Sequence, residues 1–259
     1  ASVHEAIFDP GEIPMKSAIT YSAVEQARGG PFVLWDSFES ACSVAKAHHF
    51  DAMEVFAPSA DHFTAHAIGK TLADHGLNLA AIGTGAGWVV HRLTLSDGDA
   101  HVRNQAIDYI KSMIDIAAGH RTQVIVGSMQ GRANTPAEVQ DCRSRLCDSL
   151  SELAQHAEHS GVTLLLEPLN RYETNLINTV DDGLSILDRT QHAGLKLLAD
   201  IFHMNIEEVS ISAALAQGAS RIGHVHFADS NRRAVGFGHI DYAPIIQTLR
   251  SIQYAGYLS

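Results

Sequence analysis

Acidic and histidine side chains follow three short apolar runs in the second half of this sequence. Residues 162–166 are apolar or β-branched and lead into Glu167, and Pro168 then prevents further strand pairing. Similar runs end at Asp200 and close to His226. Carboxylate oxygens prefer hard divalent ions, and imidazole extends the range to softer ones, so the set suits Mn²⁺, Mg²⁺, Co²⁺ or Zn²⁺. Glu167, Asp200 and His226 are therefore candidate ligands of one divalent metal ion.

A purely structural role explains the same three residues. Glu167 and Asp200 would then cap neighbouring helices, and His226 would be a hydrogen-bonded imidazole of the core. His224 and His226 are two residues apart, so both side chains lie on one face of a strand. His226 is nearer the end of that strand and is the better ligand, whereas His224 is placed to orient its neighbours. The residue pattern alone leaves both interpretations open.

Three loop residues beyond the apolar runs carry hydrogen-bonding side chains: Glu173, His203 and Arg232. The histidine and the arginine would donate hydrogen bonds to substrate oxygens, and the glutamate would accept them. A solvated surface charge is the alternative for each of these residues.

The apolar runs belong to a regular alternation of strands and helices. Strands are predicted near residues 15–22, 52–56, 77–82, 123–126, 162–167, 195–200, 222–227 and 255–259, and helices near residues 38–49, 61–75, 97–118, 136–159, 180–190, 207–217 and 242–252. This order predicts one domain over residues 1–259, with residues 1–14 as an N-terminal extension or loop. The expected fold is an α/β (β/α)₈ TIM barrel, which gathers the candidate ligands at the C-terminal ends of its strands. A doubly wound open sheet is the alternative. The sequence stops within the eighth strand, so the end of that strand and an eighth helix are expected to be missing from it.

The charge and the hydrophobicity of the sequence argue against nucleic-acid binding and against insertion into a membrane. A formal net charge of −11 argues against binding to nucleic-acid phosphates, which requires clustered lysine and arginine. No apolar run reaches the roughly 18 residues that cross a membrane, and the first residues lack the pattern of a signal peptide. We therefore expect a cytoplasmic protein with no membrane partner and a small-molecule substrate. Cys42, Cys142 and Cys147 form no CxxC pair and are expected to be free thiols.

Three motifs together resemble a known family. They read E-P-L-N-R-Y-E at residues 167–173, D-I-F-H-M-N-I-E-E at residues 200–208 and H-V-H-F-A-D-S-N-R-R-A-V-G-F-G-H-I-D-Y at residues 224–242. In this order and spacing they are similar to the sugar isomerase/epimerase superfamily of xylose isomerase-like barrels. Within it, they look most like the ketose 3-epimerases of the D-tagatose and D-psicose type. Each motif is weak alone, and the specificity lies in their combination, which covers the chain from the second strand to the eighth.

The resemblance implies a divalent metal ion, with Mn²⁺ as the first choice, held by Glu167, Asp200, His226 and a glutamate after strand eight. That glutamate would fall just beyond Ser259, so a longer native chain is expected. In the family the two glutamates also exchange protons with opposite faces of the substrate through a cis-enediolate. Glu167 is therefore the candidate catalytic residue.

The resemblance also assigns the loop residues Glu173, His203 and Arg232 to the oxygens that flank the reacting carbon. Val235 replaces the proline that is usual in the loop carrying Arg232, which bears only on the stiffness of that loop. The predicted function is a metal-dependent ketose 3-epimerase acting on a sugar, with a homo-oligomer as one candidate assembly. Alternatives are a hydroxypyruvate isomerase-like aldose/ketose isomerase, an inosose dehydratase-like enzyme and a non-catalytic sugar-binding barrel. An endonuclease IV-like repair enzyme is disfavoured by the negative charge.

Overall fold

Eight parallel strands close into a barrel in which each strand pairs with its neighbours in chain order. The computed structural model describes residues 15–259, so the prediction of an extension at residues 1–14 lies outside the described residues. The strands are β1 (Lys16–Ser22), β2 (Ala52–Phe56), β3 (Asn78–Gly83), β4 (Gln123–Val126), β5 (Thr163–Leu166), β6 (Leu195–Asp200), β7 (Ile222–His226) and β8 (Tyr257–Leu258). This closure confirms the (β/α)₈ barrel and excludes the doubly wound sheet.

Helices connect the strands. They are α1 (Phe38–Ala47), α2 (Asp61–Ala65), α3 (Ile68–His75), α4 (Ala86–Val89), α5 (Ala100–His120), α6 (Val139–His159), α7 (Val180–Thr190), α8 (Ile201–Glu207), α9 (Ile211–Gly218) and α10 (Tyr242–Ser251). The helix expected over residues 61–75 is divided at Ala67, whose φ of 48° lies in the left-handed region and interrupts the helix. The helix expected over residues 207–217 corresponds to α9, which begins at Ile211, and the separate helix α8, which begins at Ile201 immediately after β6, was not predicted.

The barrel interior contains a small apolar layer below the C-terminal ends of the strands. Its members are Ala81, Ile125, Leu165 and Leu198, which form a cluster separate from the large core between the strands and the helices. Side chains of a strand alternate between its two faces. The next inward position after Leu165 is therefore Glu167, and the next after Leu198 is Asp200. The strand period alone places both carboxylates in the mouth of the barrel.

Two further expectations concern the whole chain. Cys42, Cys142 and Cys147 are buried free thiols, as predicted. Across residues 15–259, none of the helices combines the length and the apolar character needed to cross a membrane.

Candidate active site

The three predicted metal ligands meet at the mouth of the barrel. The register of β6 and β7 pairs Asp200 directly with His226, after an irregularity between Leu197 and Leu198. Glu167 is the first residue after β5. The Nδ1 atom of His226 lies 3.4 Å from Oε1 of Glu167 and 3.5 Å from Oδ2 of Asp200.

Asp200 has two functions, one for each carboxylate oxygen. Its Oδ1 accepts hydrogen bonds from the backbone N–H groups of Phe202 at 2.7 Å and His203 at 3.3 Å, which caps α8. Its Oδ2 faces the histidines instead. Asp200 therefore caps a helix, as the structural alternative predicted. The cap uses only one carboxylate oxygen, so the other oxygen stays directed towards the site and a ligand role is still possible.

Glu167 is held from the neighbouring strand end. The side-chain amide of Gln130, which is fully buried, donates to the Glu167 carbonyl at 3.0 Å. Gly127, which follows β4, leaves room for the carboxylate, because a Cβ atom at this position would overlap Oε2 of Glu167. Any larger residue at position 127 would displace the candidate base.

Glu54 holds His226 from the opposite side of the ring. The Nε2 atom of His226 lies 3.1 Å from both carboxylate oxygens of Glu54. His224 Nε2 contacts Oε2 of Glu54 at 2.9 Å, and the Thr20 hydroxyl donates to Oε1 at 3.2 Å. Since an ionised carboxylate only accepts, His226 donates through Nε2, and when the ring is neutral its lone pair lies on Nδ1.

The charges in this cluster reinforce one another. Burial opposes ionisation of Glu54, but the charge of His226 and the hydrogen bonds from both histidines outweigh it and hold the Glu54 pKa well below its usual range. Burial would lower the pKa of His226, yet the charge of Glu54 and bonds to Asp200 and Glu167 raise it well above its ordinary value. Burial also lowers the pKa of His224, which is fully enclosed. His224 therefore orients Glu54, as the sequence predicted for a residue of the second layer.

His203 reaches the same carboxylates from α8. Its Nε2 atom lies 3.7 Å from Oδ2 of Asp200 and 3.9 Å from Oε1 of Glu167. These three side chains also form a group whose spacing would admit a metal ion. The His226 nitrogen is closer to both carboxylates than the His203 nitrogen is. The Nδ1 atom of His203 contacts the backbone N–H of Asn170 at 3.2 Å and its side-chain Nδ2 at 2.8 Å.

Arg232 and Glu173 complete one edge of the site. Arg232 Nη2 lies 3.2 Å from Nε2 of His203, and its Nη1 lies 3.3 Å from Oε1 of Glu173. The guanidinium stacks over the ring of Phe202 at 4.5 Å. The three predicted substrate-binding residues are thus adjacent to one another and to the candidate ligands.

Buried Asp229 shapes the loop that carries Arg232. Its carboxylate accepts hydrogen bonds from the backbone N–H groups of Ser230, Gly236 and Ile240, at 2.7, 2.9 and 3.3 Å. Burial opposes the charge, but these backbone donors lower the Asp229 pKa to about 2. Arg232 itself has a φ of 59°, an unusual conformation for a residue with a side chain, so this loop must be held in place.

The donor set fits a divalent metal ion. Two carboxylates and Nδ1 of His226 converge on one point, and the back of the imidazole is fixed by a carboxylate, the usual arrangement behind a metal-bound histidine. Without a metal ion, the negative charge of Asp200 is offset by the charges of His203, His226 and Arg232. A cavity of about 730 Å³ reaches Glu54, Asp200, His226 and Arg232 and extends along β1 to Lys16 and Asp51 at the N-terminal ends of the strands. The part of this cavity at the mouth of the barrel gives a small molecule access to the site.

Sequence reasoning missed several contributors. Glu54, Gly127, Asn170 and Asp229 are not among the site residues predicted from the sequence. Asn170 and Asp229 lie within the recognised motifs, so their position beside candidate ligands was the available signal. The contact between Glu54 and His224 spans 170 residues, and no local pattern predicts it.

Comparisons with known proteins agree with this geometry. The family model described as xylose isomerase-like TIM barrel matches residues 42–259. L-ribulose 3-epimerase from Mesorhizobium japonicum is 34% identical over 197 residues, which cover 74% of this chain and 64% of the relative. 3-Dehydro-D-guloside 4-epimerase from Escherichia coli is 36% identical over 124 residues, 48% of this chain and 47% of the relative.

A solved structure extends the comparison over nearly the whole chain. D-psicose 3-epimerase with D-tagatose from Clostridium cellulolyticum superimposes with a TM-score of 0.79 at 26% identity, covering 94% of this chain and 83% of the other. In both sequence comparisons above, the aligned region spans less than two thirds of the curated relative. The family match covers most of the chain. The chain therefore belongs to the xylose isomerase-like TIM barrel family.

Proposed function

We propose that this protein is a sugar epimerase, and specifically a metal-dependent ketose 3-epimerase. The proposal rests on the close approach of Glu167, Asp200 and His226 at the mouth of a barrel of this family. Nδ1 of His226 lies within 3.5 Å of a carboxylate oxygen of each acid. Relatives named as 3-epimerases of L-ribulose and D-psicose support the choice of a ketose and of its third carbon. Mn²⁺ as the ion, a cytoplasmic location and a homo-oligomeric assembly remain predictions from the sequence.

Glu167, Asp200 and His226 would hold the metal ion. When bound, the ion would supply Lewis-acid stabilisation of negative charge that develops on the substrate oxygens. Glu167 would remove the proton next to the ketose carbonyl to form a cis-enediolate. Gln130 holds the backbone carbonyl of Glu167, and Gly127 leaves room for its carboxylate beside the other two ligands. Epimerisation also requires an acid that returns a proton to the opposite face, and the site residues described above are not assigned that role.

The edge formed by Glu173, His203 and Arg232 would orient the sugar. His203 Nε2 and Arg232 Nη2 are 3.2 Å apart, so one sugar oxygen could accept hydrogen bonds from both. The Glu173 carboxylate would accept a bond from a neighbouring hydroxyl. Three fixed partners on adjacent oxygens would hold the C–H bond in line with Glu167.

A second candidate is epimerisation at the fourth carbon of a keto sugar. The Escherichia coli relative is named a 4-epimerase and is 36% identical over the aligned region, so family membership does not select the carbon. The same three ligands and the same base would serve either reaction.

Proton NMR in D₂O tests the proposal. Protein loaded with Mn²⁺ and then desalted is incubated with a panel of free ketoses, and solvent deuterium is sought at each carbon. We expect exchange at the third carbon together with the appearance of the 3-epimer. Exchange at the fourth carbon of a 3-keto substrate would support the second candidate, and no exchange with any sugar despite bound metal would contradict both.

A further inference from the structure

Asn170 is a buried residue of the loop after β5 and lies between two predicted substrate-binding residues. It is 3% exposed. Its side-chain Nδ2 contacts Nδ1 of His203 at 2.8 Å and Oε1 of Glu173 at 3.2 Å. The mechanism above does not use this residue, although it contacts two groups that the mechanism requires.

The orientation of the Asn170 amide follows from its own hydrogen bonds. Its Oδ1 accepts from the backbone N–H of Tyr172 at 3.0 Å. A backbone N–H can only donate, so the oxygen must face Tyr172 and the NH₂ group must face His203 and Glu173. Both the ring nitrogen and the carboxylate oxygen are acceptors for that NH₂ group.

His203 Nδ1 therefore receives two donors from one residue, the side-chain NH₂ and the backbone N–H of Asn170. A nitrogen that accepts cannot carry the ring proton, so the neutral imidazole must carry it on Nε2. The other tautomer would place an N–H group against a backbone N–H that cannot rotate away.

Arg232 introduces a competing contact at the opposite nitrogen. Its Nη2 lies 3.2 Å from Nε2 of His203, and a guanidinium also only donates. A neutral ring cannot accept at both nitrogens, so one of these contacts is not a hydrogen bond in the resting protein. Arg232 has Glu173 and the Phe202 ring as other partners, whereas the Asn170 backbone has no such freedom.

We propose that Asn170 is a positioning residue that selects the Nε2–H tautomer of His203 and so makes this imidazole a hydrogen-bond donor rather than a metal ligand. A nitrogen that carries a proton has no lone pair for a metal ion. His203 is thereby kept out of the coordination that its distances to Asp200 and Glu167 would otherwise allow. The donation of a hydrogen bond from His203 to a substrate oxygen rests on the proposed function. The choice of tautomer rests only on the contacts of Asn170 with His203.

The tautomer is measured directly by long-range ¹H–¹⁵N correlation NMR of metal-free protein labelled at the histidine nitrogens, with no sugar present. The His203 signals are identified by their loss in His203→Gln. In the unsubstituted protein we expect the pattern of a ring protonated at Nε2 alone. A pattern of Nδ1 protonation alone would overturn the proposal without any further variant.

Asn170→Asp replaces the amide donor by an acceptor of the same shape. We expect the His203 ring to become protonated at Nδ1, either alone or together with Nε2. An unchanged Nε2–H pattern in folded Asn170→Asp would overturn the proposed role of the Asn170 side chain, because the backbone N–H of residue 170, which this variant keeps, would then be sufficient to set the tautomer.

Asn178→Ala is the matched control from the same loop. The Asn178 amide donates to the carbonyls of Leu169 at 2.6 Å and Thr174 at 3.2 Å rather than to His203. This variant loosens the loop but should leave the His203 pattern unchanged. If it alters the tautomer as Asn170→Asp does, the role of Asn170 is only structural and the proposal fails.

Activity separates this inference from the proposed function. If ketose turnover is observed, Asn170→Asp should raise KM by about tenfold or more, because a misdirected hydrogen bond to substrate costs at least ~1.4 kcal/mol. If no sugar is turned over but His203 has the Nε2–H pattern, the proposed function fails while the tautomer assignment stands.

Discussion

His226 and His203 face the same two carboxylates, yet they are held in opposite ways. His226 donates through Nε2 to Glu54 and presents Nδ1 to Glu167 and Asp200. His203 accepts at Nδ1 from Asn170 and presents Nε2. Glu54 behind His226 is a hydrogen-bond acceptor, whereas Asn170 behind His203 is a hydrogen-bond donor.

We propose that the distance to a carboxylate pair does not decide which of these histidines binds a metal ion. The partner at the far nitrogen would decide it, because that partner determines where the ring proton lies. On this basis His226 is the proposed metal ligand and His203 is the proposed donor. Each of the following predictions tests one side of this comparison or the centre that both histidines share.

The largest expected effect is at the shared centre. Glu167→Gln removes both a metal ligand and the proposed base, and we expect turnover to fall by about 10³-fold or more at saturating Mn²⁺. Circular dichroism should show an unchanged fold. Glu152→Gln is the control, because Glu152 is exposed and pairs with Lys111 on the helical surface. Retained epimerisation in Glu167→Gln would remove this residue from the mechanism.

A smaller effect is expected behind His226. Glu54→Gln replaces a carboxylate that accepts from two histidines and Thr20, so the Nδ1 lone pair of His226 is no longer enforced. We expect Mn²⁺ affinity to fall by about 10- to 100-fold, measured by isothermal titration calorimetry.

Glu158→Gln is the matched control, because Glu158 is also a glutamate that contacts a histidine, His192, at 3.1 Å. His192 lies just before the start of β6, whereas Asp200 lies at the other end of that strand, so this pair is far from the site. Its Mn²⁺ affinity should equal that of the unsubstituted protein. Equal losses in both variants would mean that the effect of Glu54 is not specific to His226.

The smallest effect is expected on the side of His203, where Asp229 holds the Arg232 loop. Asp229→Asn should lower the free energy of unfolding by about 2 kcal/mol at pH 7, since a buried acceptor of several backbone N–H groups becomes partly mismatched. The folded pKa of about 2 lies below the ordinary value of 3.8, so the carboxylate stabilises the fold above pH 3.8 and loses that contribution as the pH falls towards 2. The difference between the two proteins should therefore shrink in denaturant titrations between pH 7 and pH 3.

Asp241→Asn provides the comparison for that series. Asp241 caps α10 through a 3.1 Å bond to the Ala243 N–H, and asparagine caps helices about as well as aspartate. We expect a change of less than about 0.5 kcal/mol for this variant. A difference for Asp229→Asn that is the same at pH 7 and pH 3 would show that its charge is not what holds the loop.

The sequence predicted the parts of the molecule that depend on local pattern. The bounds of β2, β4 and β6 agree with the expected ranges, and Glu167 and Asp200 lie at the C-terminal ends of β5 and β6 as expected. Side chains alternate along a strand wherever it lies in the barrel, so these features are readable from a short window.

The features that the sequence did not predict depend on distant contacts or on single backbone conformations. Glu54 becomes the partner of His226 only when β2 and β7 meet across the closed barrel, 172 residues apart in the chain. The break at Ala67 requires a positive φ at a residue that ordinarily favours helix. The start of α8 depends on the Asp200 side chain acting as a cap and as a site residue at once.

The most direct test of the account compares Mn²⁺ binding by His226→Gln and His203→Gln in the absence of sugar, with free Mn²⁺ followed by electron paramagnetic resonance. Because even outer partners of metal ligands contribute about 10- to 100-fold, loss of the His226 nitrogen should weaken binding by about 100-fold or more. Loss of His203 should change it by no more than about threefold, which is less than ~0.7 kcal/mol. Equal losses in the two variants, or a larger loss in His203→Gln, would contradict the assignment of the two histidines.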